Sequence, residues 1–218
     1  MERFDKLFDK LNGGYICFII LIVNIVASII EQVYYMPYNP SYSMFTNYIS
    51  DMGAGPIETK VTITVSNTIA GILLLLLILY ILRDLEKKEA NKNLKRLILI
   101  LGIIDSIALI LLGFFLLDPA TPVAYEIHRI AAIFYFGCIS MTMLIYGYLE
   151  VTLPNFSKKL AIISIITGIL ALSFTTGFVI VEYTVVPRQA FVYFIEHMFF
   201  YAIFVWLIVH GIFYWKNR

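Results

Sequence analysis

Apolar residues form six runs, each long enough to cross a lipid bilayer as a helix. A membrane-spanning helix needs about 20 consecutive, mostly apolar residues. The runs that meet this requirement cover about 14–35, 57–82, 97–117, 125–149, 160–181 and 189–215, with an outer loop over 36–56. The pattern predicts an all-α fold in which residues 1–218 form a single transmembrane domain, an integral membrane bundle of six helices.

Basic residues are divided unevenly between the two sides of this predicted bundle. Thirteen Lys and Arg residues fall on the side of the termini, whereas only Lys60, Arg129 and Arg188 fall on the other. Positive charge concentrates in cytoplasmic loops. We therefore predict a protein of the cell membrane whose N- and C-termini are cytoplasmic and whose loop 36–56 lies outside.

The composition agrees with a membrane location and excludes several classes of protein. The chain of 218 residues is 61% hydrophobic and 14% charged, whereas soluble domains are about 25% charged. Too little polar sequence remains for a cytosolic enzyme, a secreted disulfide module or a nucleic-acid binder. Membrane lipid is the partner that we expect.

Three of the predicted spans each bring a carboxyl or amide side chain to the outer half or the middle of the membrane, where it is a candidate for function. Asp105 lies roughly 18 Å from the outer end of its span, Glu196 roughly 10 Å and Asn67 about 14 Å, at 1.5 Å of rise per residue. Polar groups at such depths normally face the interior of the bundle. A protonated Asp105 that only holds two helices together remains an alternative interpretation.

The outer half of the bundle adds further candidates, each with a structural alternative. His128 is either a site residue or an interfacial anchor, and Arg129 either binds substrate or forms a helix-surface pair with Glu126. Glu196 and His197 point about 100° apart around their helix. One of them is therefore expected to face a shared site directly, and the cost of burial favours Glu196.

The segment that runs directly into the second span reads Asn47-Tyr48-Ile49-Ser50-Asp51-Met52-Gly53-Ala54-Gly55-Pro56-Ile57-Glu58. It resembles the outer loop of the FRAG/DRAM-like six-span membrane proteins, in particular their uncharacterised prokaryotic branch. The family pattern is Ile-Ser-Asp-Thr-Gly, then Pro-Pro-Glu, with an Asn in the next helix. Matching positions here are Ile49, Ser50, Asp51, Gly53, Pro56, Glu58 and Asn67. His128 and Glu196 match a His and a Glu of the family's fourth and sixth helices, whereas Met52 and His197 depart from its pattern.

The resemblance implies a connection with membrane lipid, because the best-understood branch of that family takes part in remodelling the lipid of GPI anchors. Carboxylates and a histidine at headgroup depth are suited to acid-base chemistry, or to binding one divalent metal ion. One interpretation is therefore a lipid-remodelling enzyme at the extracytoplasmic leaflet. The alternatives are a non-catalytic lipid-binding or scaffold protein and a proton-coupled transporter, the latter supported mainly by Asp105.

The enzyme interpretation assigns a role to each candidate residue. His128 would be the base or a metal ligand, Asp51 would orient it or share the metal, and Glu196 would be the second acid-base group. The residues expected to bind substrate are Ser50, Asn67, Asp105, Arg129 and His197. We expect Asp51, His128 and Glu196 to converge in one outward-opening pocket with Asn67 and Asp105 as its floor.

The outer loop is expected to cover that pocket. Gly53, Gly55 and Pro56 bend the chain back towards the membrane. Tyr48 and Met52 are among the residues that provide an apolar side to bury. We therefore predict that the segment 43–58 packs over the bundle as a lid.

Overall fold

The structure, a computed structural model, describes residues 12–117, 121–154, 156–184 and 190–217. Within these ranges it contains no strand and six long helices: α1 (Gly13–Tyr38), α2 (Ile57–Lys87), α3 (Lys92–Phe114), α4 (Pro122–Thr152), α5 (Lys158–Tyr183) and α6 (Ala190–Lys216). A short 3₁₀ helix, Ile49–Ala54, lies between α1 and α2. All six long helices have the length and composition to cross a membrane. The predicted all-α, six-helix fold is confirmed.

Several helices extend beyond the apolar runs that predict them. The second run ends near residue 82, whereas α2 continues to Lys87, and its last turns carry the ion pair between Asp84 and Lys88. Helical hydrogen bonds continue in water, so hydropathy marks the part of a helix inside lipid and not its ends. Residue 189, the predicted start of the sixth span, lies outside the described residues.

The six helices form a closed ring. Each helix packs chiefly against the helices before and after it in the chain, and α1 packs against α6. Neighbours are antiparallel: Gly13 at the start of α1 lies against Tyr80 near the end of α2, and Gly14 lies against Gly211 near the end of α6. We call the end that carries residues 39–56 the loop end, and the end that carries both termini the terminal end.

Small residues allow the helices of the ring to approach closely. A Cβ atom on Gly71 of α2 would lie 2.9 Å from the carbonyl oxygen of Ser106 in α3. Farther along the same contact, the Thr64 hydroxyl donates a hydrogen bond of 2.7 Å to the carbonyl oxygen of Gly113. Because lipid provides little hydrophobic driving force between helices, close packing and interhelical hydrogen bonds of this kind hold a membrane bundle together.

The loop 39–56 packs onto the loop end of the ring, as its apolar residues predict. Tyr48 is only 1% exposed and contacts the rings of Phe178 and Tyr193 edge to face. Phe45 stacks on Phe194 of α6 with ring centres 5.5 Å apart. The loop is therefore part of the folded core at this end.

Candidate functional site

The ring encloses an elongated cavity of about 180 Å³. All six helices and the loop 39–56 contribute to its wall. Along α2 the lining runs from Ile63 to Ile81, which corresponds to a length of about 27 Å at 1.5 Å per residue. Most lining residues are Leu, Ile and Phe. A cavity arises here because the helices pack against their ring neighbours and none fills the centre.

Three titratable groups of the cavity wall lie in one layer near the loop end. These are Glu31 of α1, His128 of α4 and Glu196 of α6, which we call the polar layer. Each lies about 9–10 Å along its helix from the loop end, at 1.5 Å per residue. They are the only carboxyl or imidazole groups among the described residues of the wall, which include no Lys or Arg.

His128 has a defined orientation. Its Nδ1 lies 2.6 Å from the carbonyl oxygen of Phe115, and because a carbonyl only accepts hydrogen bonds, Nδ1 carries the proton and donates. In the neutral ring Nε2 then bears a lone pair. No described residue hydrogen-bonds to Nε2, so this atom can accept a proton or a hydrogen bond from a molecule in the cavity.

Glu196 connects the polar layer to the loop. The backbone N–H of Ile49 donates a hydrogen bond of 2.8 Å to Oε2 of Glu196. Ile49 and the adjacent Ser50 form part of the cavity wall. Glu196 therefore fixes the start of the 3₁₀ helix over the cavity.

Glu31 is a member of the polar layer that the sequence interpretation missed. It is 6% exposed and lies in the cavity wall, and none of the described residues forms a hydrogen bond or ion pair with its carboxyl group. Its position near the end of an apolar run looks like an ordinary span boundary in the sequence. The sequence did not separate it from a boundary residue, because the predicted span ends at residue 35, whereas the helix continues to Tyr38 and places Glu31 two turns inside its end.

Ser50 and Asn67 also line the cavity. Ser50 belongs to the 3₁₀ helix, and Asn67 lies about 15 Å along α2 from its start, deeper than the polar layer. Together with His128 and Glu196, they are the four predicted site residues that the structure brings to one cavity.

Asp51 and His197 lie beside the cavity instead of in its wall. The Asp51 carboxylate accepts a hydrogen bond of 3.0 Å from the backbone N–H of Tyr48 and so caps the 3₁₀ helix. His197 donates from Nδ1 to the carbonyl oxygen of Tyr193 and accepts at Nε2 from the Tyr42 hydroxyl, at 2.9 and 3.2 Å. Both residues hold the loop 39–56 in place.

Tyr42 remains a neutral phenol in this environment. Burial raises the pKa of Tyr42 above its usual value, and the nearby carboxylates of Glu196, Asp51 and Glu31 raise that pKa further. Glu31 and Glu196 therefore both lie near the Tyr42 phenol. The polar layer and the loop are thus close neighbours.

Arg129 connects two helices and does not reach the cavity. Its guanidinium group donates to Glu126 at 2.7 Å, pairs with the Glu182 carboxylate at 3.4 Å and lies over the Tyr183 ring. Both Arg129 and Glu182 are largely buried. The pairing with Glu126, one of the two alternatives from the sequence, is present. Because Arg129 also contacts Glu182 and Tyr183, it connects α4 to α5.

Asp105 lies outside the cavity as well. It is 1% exposed, and its Oδ1 atom has no hydrogen-bond partner among the described residues. Tyr135 and Cys138 of α4 are close enough to interact with its charge. Its depth in the membrane correctly predicts that the Asp105 side chain faces the interior of the bundle. However, this side chain lies at the contact between α3 and α4 and does not form the floor of the cavity.

The described residues contain no group of three His, Cys, Asp or Glu side chains that could hold a metal ion. The polar layer consists of two carboxyl groups and one imidazole, yet it does not form such a group. The sequence interpretation left one bound divalent metal ion as an alternative to acid-base chemistry, and the described residues provide no ligand set for it.

A second polar cluster lies towards the terminal end and was not predicted. Both oxygens of the Glu150 carboxyl group are hydrogen-bonded: one accepts from the Ser164 hydroxyl at 2.6 Å, and the other shares a hydrogen bond of 2.7 Å with Nε2 of His210. Ser164 accepts from Nε1 of Trp206 at 2.9 Å, and Nδ1 of His210 donates to the Trp206 carbonyl oxygen at 3.0 Å. We call these four residues the terminal network; every polar side-chain atom in it has a partner.

The fold and the cavity define a multi-pass, all-helical membrane protein. The chain belongs to a family described as "Protein of unknown function (DUF998)", whose model matches residues 18–212. This region contains every residue of the cavity wall. No curated protein and no solved structure matches the chain. The resemblance to the FRAG/DRAM-like proteins is not confirmed by these comparisons.

Proposed function

We propose that this protein binds a single-chain amphiphile, or one chain of a membrane lipid, in the cavity of its helix ring. The supporting observation is the shape and chemistry of the cavity wall: a long apolar tube with one polar layer near one end. An apolar cavity of about 150 Å³ already accommodates an aromatic ring. A hydrocarbon chain would occupy the tube, and its polar head would lie at Glu31, His128 and Glu196.

Trp206 provides a reporter for this proposal. It lies in the cavity wall about 15 Å farther along α6 than Glu196, at 1.5 Å per residue, where the end of a bound chain would lie. The only other tryptophan, Trp215, is 56% exposed. A Trp215→Phe variant therefore has one tryptophan, inside the cavity.

The experiment measures quenching of Trp206 fluorescence in this variant after reconstitution in nanodiscs. Hexadecanol brominated at its chain end should quench Trp206 in a saturable manner, and unlabelled hexadecanol should restore the emission. Quenching that rises linearly without saturation would contradict a binding site.

A pair of substitutions on α2 controls for bromine in the surrounding lipid. Ala70 is 2% exposed and lines the cavity, whereas Val65 is 51% exposed on the outer face of the same helix. In the Trp215→Phe background, Ala70→Phe should abolish saturable quenching and Val65→Phe should leave it unchanged. Equal quenching in both variants would place the bromine outside the cavity.

A second candidate function is acid-base chemistry on the bound molecule, favoured by the orientation of His128. With Nδ1 held by Phe115, the free Nε2 would act as the base, and Glu196 would be the second acid-base group. Mass spectrometry of vesicles that contain the protein together with amine-headed and phosphate-headed lipids would detect lipid turnover. His128→Ala and Glu196→Gln should abolish it, and Glu58→Gln, which changes an exposed carboxylate outside the cavity wall, should not. The transporter alternative was supported mainly by Asp105, and this residue is not among the described residues of the cavity wall.

The proposed site also requires an orientation, and we propose cytoplasmic termini with an extracytoplasmic loop end. The distribution of basic residues supports this. Because Cys17 and Cys138 are buried, single added cysteines can be labelled with an impermeant maleimide. Ser41→Cys should react in intact cells, and Lys88→Cys only after permeabilisation. If Lys88→Cys reacts in intact cells and Ser41→Cys only after permeabilisation, the topology is the opposite of the one proposed.

A further inference from the structure

We infer that the cavity selects an amphiphile with a cationic amine head over one with a phosphate head. This inference rests on the proposed binding function and adds the class of head group. It follows from the composition of the polar layer, which provides two carboxyl groups and one hydrogen-bond acceptor nitrogen to the cavity.

Most hydrogen-bond acceptor positions of Glu31, His128 and Glu196 are not used in bonds with the described residues. The Glu31 carboxyl has no partner among the described residues. Glu196 accepts one hydrogen bond, from Ile49, at one of its two oxygens. His128 presents the lone pair of Nε2. A primary ammonium group has three N–H donors and no acceptor, so it complements a layer of acceptors.

Among the described residues, no Lys or Arg side chain is placed to compensate the two carboxyl groups. The wall contains no Lys or Arg among its described residues. The nearby Arg129 is held outside the cavity by Glu126, Glu182 and Tyr183. Charge is costly in a medium of low dielectric unless it is paired.

The same argument excludes a phosphate head. Proteins bind phosphate with Arg or Lys side chains or with free backbone N–H groups. The polar layer offers a phosphate none of these cations and places it beside two carboxyl groups. A negatively charged head would therefore find no cation to pair with there, whereas an ammonium head finds carboxyl groups.

Competition against brominated hexadecanol in the Trp215→Phe protein tests the inference. Hexadecylamine and hexadecyl phosphate have the same chain, so a difference between them reports on the head group alone. Hexadecylamine should displace the brominated probe at a concentration lower by about tenfold or more. Equal displacement by the two competitors would overturn the head-group inference and leave the proposed chain binding intact. Absence of saturable quenching by the probe itself would overturn both.

Substitutions that replace one carboxyl group at a time by an amide identify which carboxyl groups select the amine head. Glu31→Gln and Glu196→Gln should each weaken displacement by hexadecylamine several-fold and leave displacement by unlabelled hexadecanol unchanged. Glu58→Gln is the matched control, because Glu58 is an exposed carboxylate at the same end of the bundle but outside the cavity wall. If Glu58→Gln weakens hexadecylamine as much as the two cavity variants do, general surface charge explains the effect and the inference fails.

Discussion

The polar layer and the terminal network contain similar residues but differ in how completely those residues are paired. Both include glutamate and histidine inside the helix ring. In the terminal network Glu150 uses both oxygens and His210 both nitrogens for bonds within the protein. In the polar layer Glu31 has no described partner, and Nε2 of His128 has none either.

Completeness of pairing separates a structural role from a binding role. A buried polar network in which every atom has a partner rigidifies the fold, and removal of one member leaves the others unpaired at high cost. Groups that face a cavity with unused lone pairs contribute less to folding and remain available to a ligand. The identity of the residue type alone does not distinguish these two cases.

The largest expected effect is the loss of stability on Glu150→Ala. This substitution leaves the Ser164 hydroxyl and Nε2 of His210 without their partner in a region that is fully buried. A buried polar group left without its hydrogen-bond partner costs about 1–3 kcal/mol, so the loss of both bonds should cost about 2–6 kcal/mol. Reversible unfolding in mixed micelles would measure the change in free energy. An unchanged unfolding midpoint would show that the terminal network does not stabilise the fold.

Arg129→Gln is expected to have the next largest effect, because Arg129 ties α4 to α5. The loss of its bonds to Glu126 and Glu182 should lower the free energy of unfolding by about 2 kcal/mol, typical of hydrogen bonds to charged groups. Quenching of Trp206 by brominated hexadecanol should keep its affinity. A selective loss of affinity with unchanged stability would instead favour the predicted role of Arg129 in binding.

Tyr42→Phe tests the attachment of the loop and should have a smaller effect. Loss of the hydrogen bond to His197 should cost about 1 kcal/mol and speed amide exchange in residues 43–54. Because the pKa of Tyr42 is raised in the folded protein, the stability of the wild type should fall as the pH rises above about 10, where the phenol of the unfolded chain ionises. The Tyr42→Phe protein should lack this part of the decrease.

Glu196→Gln should have the smallest effect on stability. The amide oxygen of Gln can still accept the hydrogen bond from Ile49, so the free energy of unfolding should remain within about 1 kcal/mol of the wild type. The contrast with Glu150→Ala is the direct test of the comparison between the two regions. A Glu196→Gln protein that unfolds as readily as Glu150→Ala would make Glu196 a structural residue.

The sequence by itself determined the six helices and directed attention to the end of the bundle that carries the polar layer. Runs of about 20 apolar residues have one stable arrangement in lipid, because a spanning helix satisfies its own backbone hydrogen bonds. The burial cost of polar groups likewise singled out Asn67 and Glu196, both of which line the cavity. These conclusions depend on local composition, which the sequence contains in full.

Only the tertiary structure decided which polar residues share the cavity. Asp51, Asp105, Arg129 and His197 were predicted beside Ser50, Asn67, His128 and Glu196, but the first four face a turn or a helix contact. Glu31 joins the polar layer because ring closure brings α1 against α6. Hydropathy indicates which side chains face the interior of the bundle. The residue that such a side chain contacts depends on how its helix is rotated about its axis relative to the neighbouring helices. That rotation is set by packing between distant residues, such as Gly14 against Gly211, and not by any local pattern.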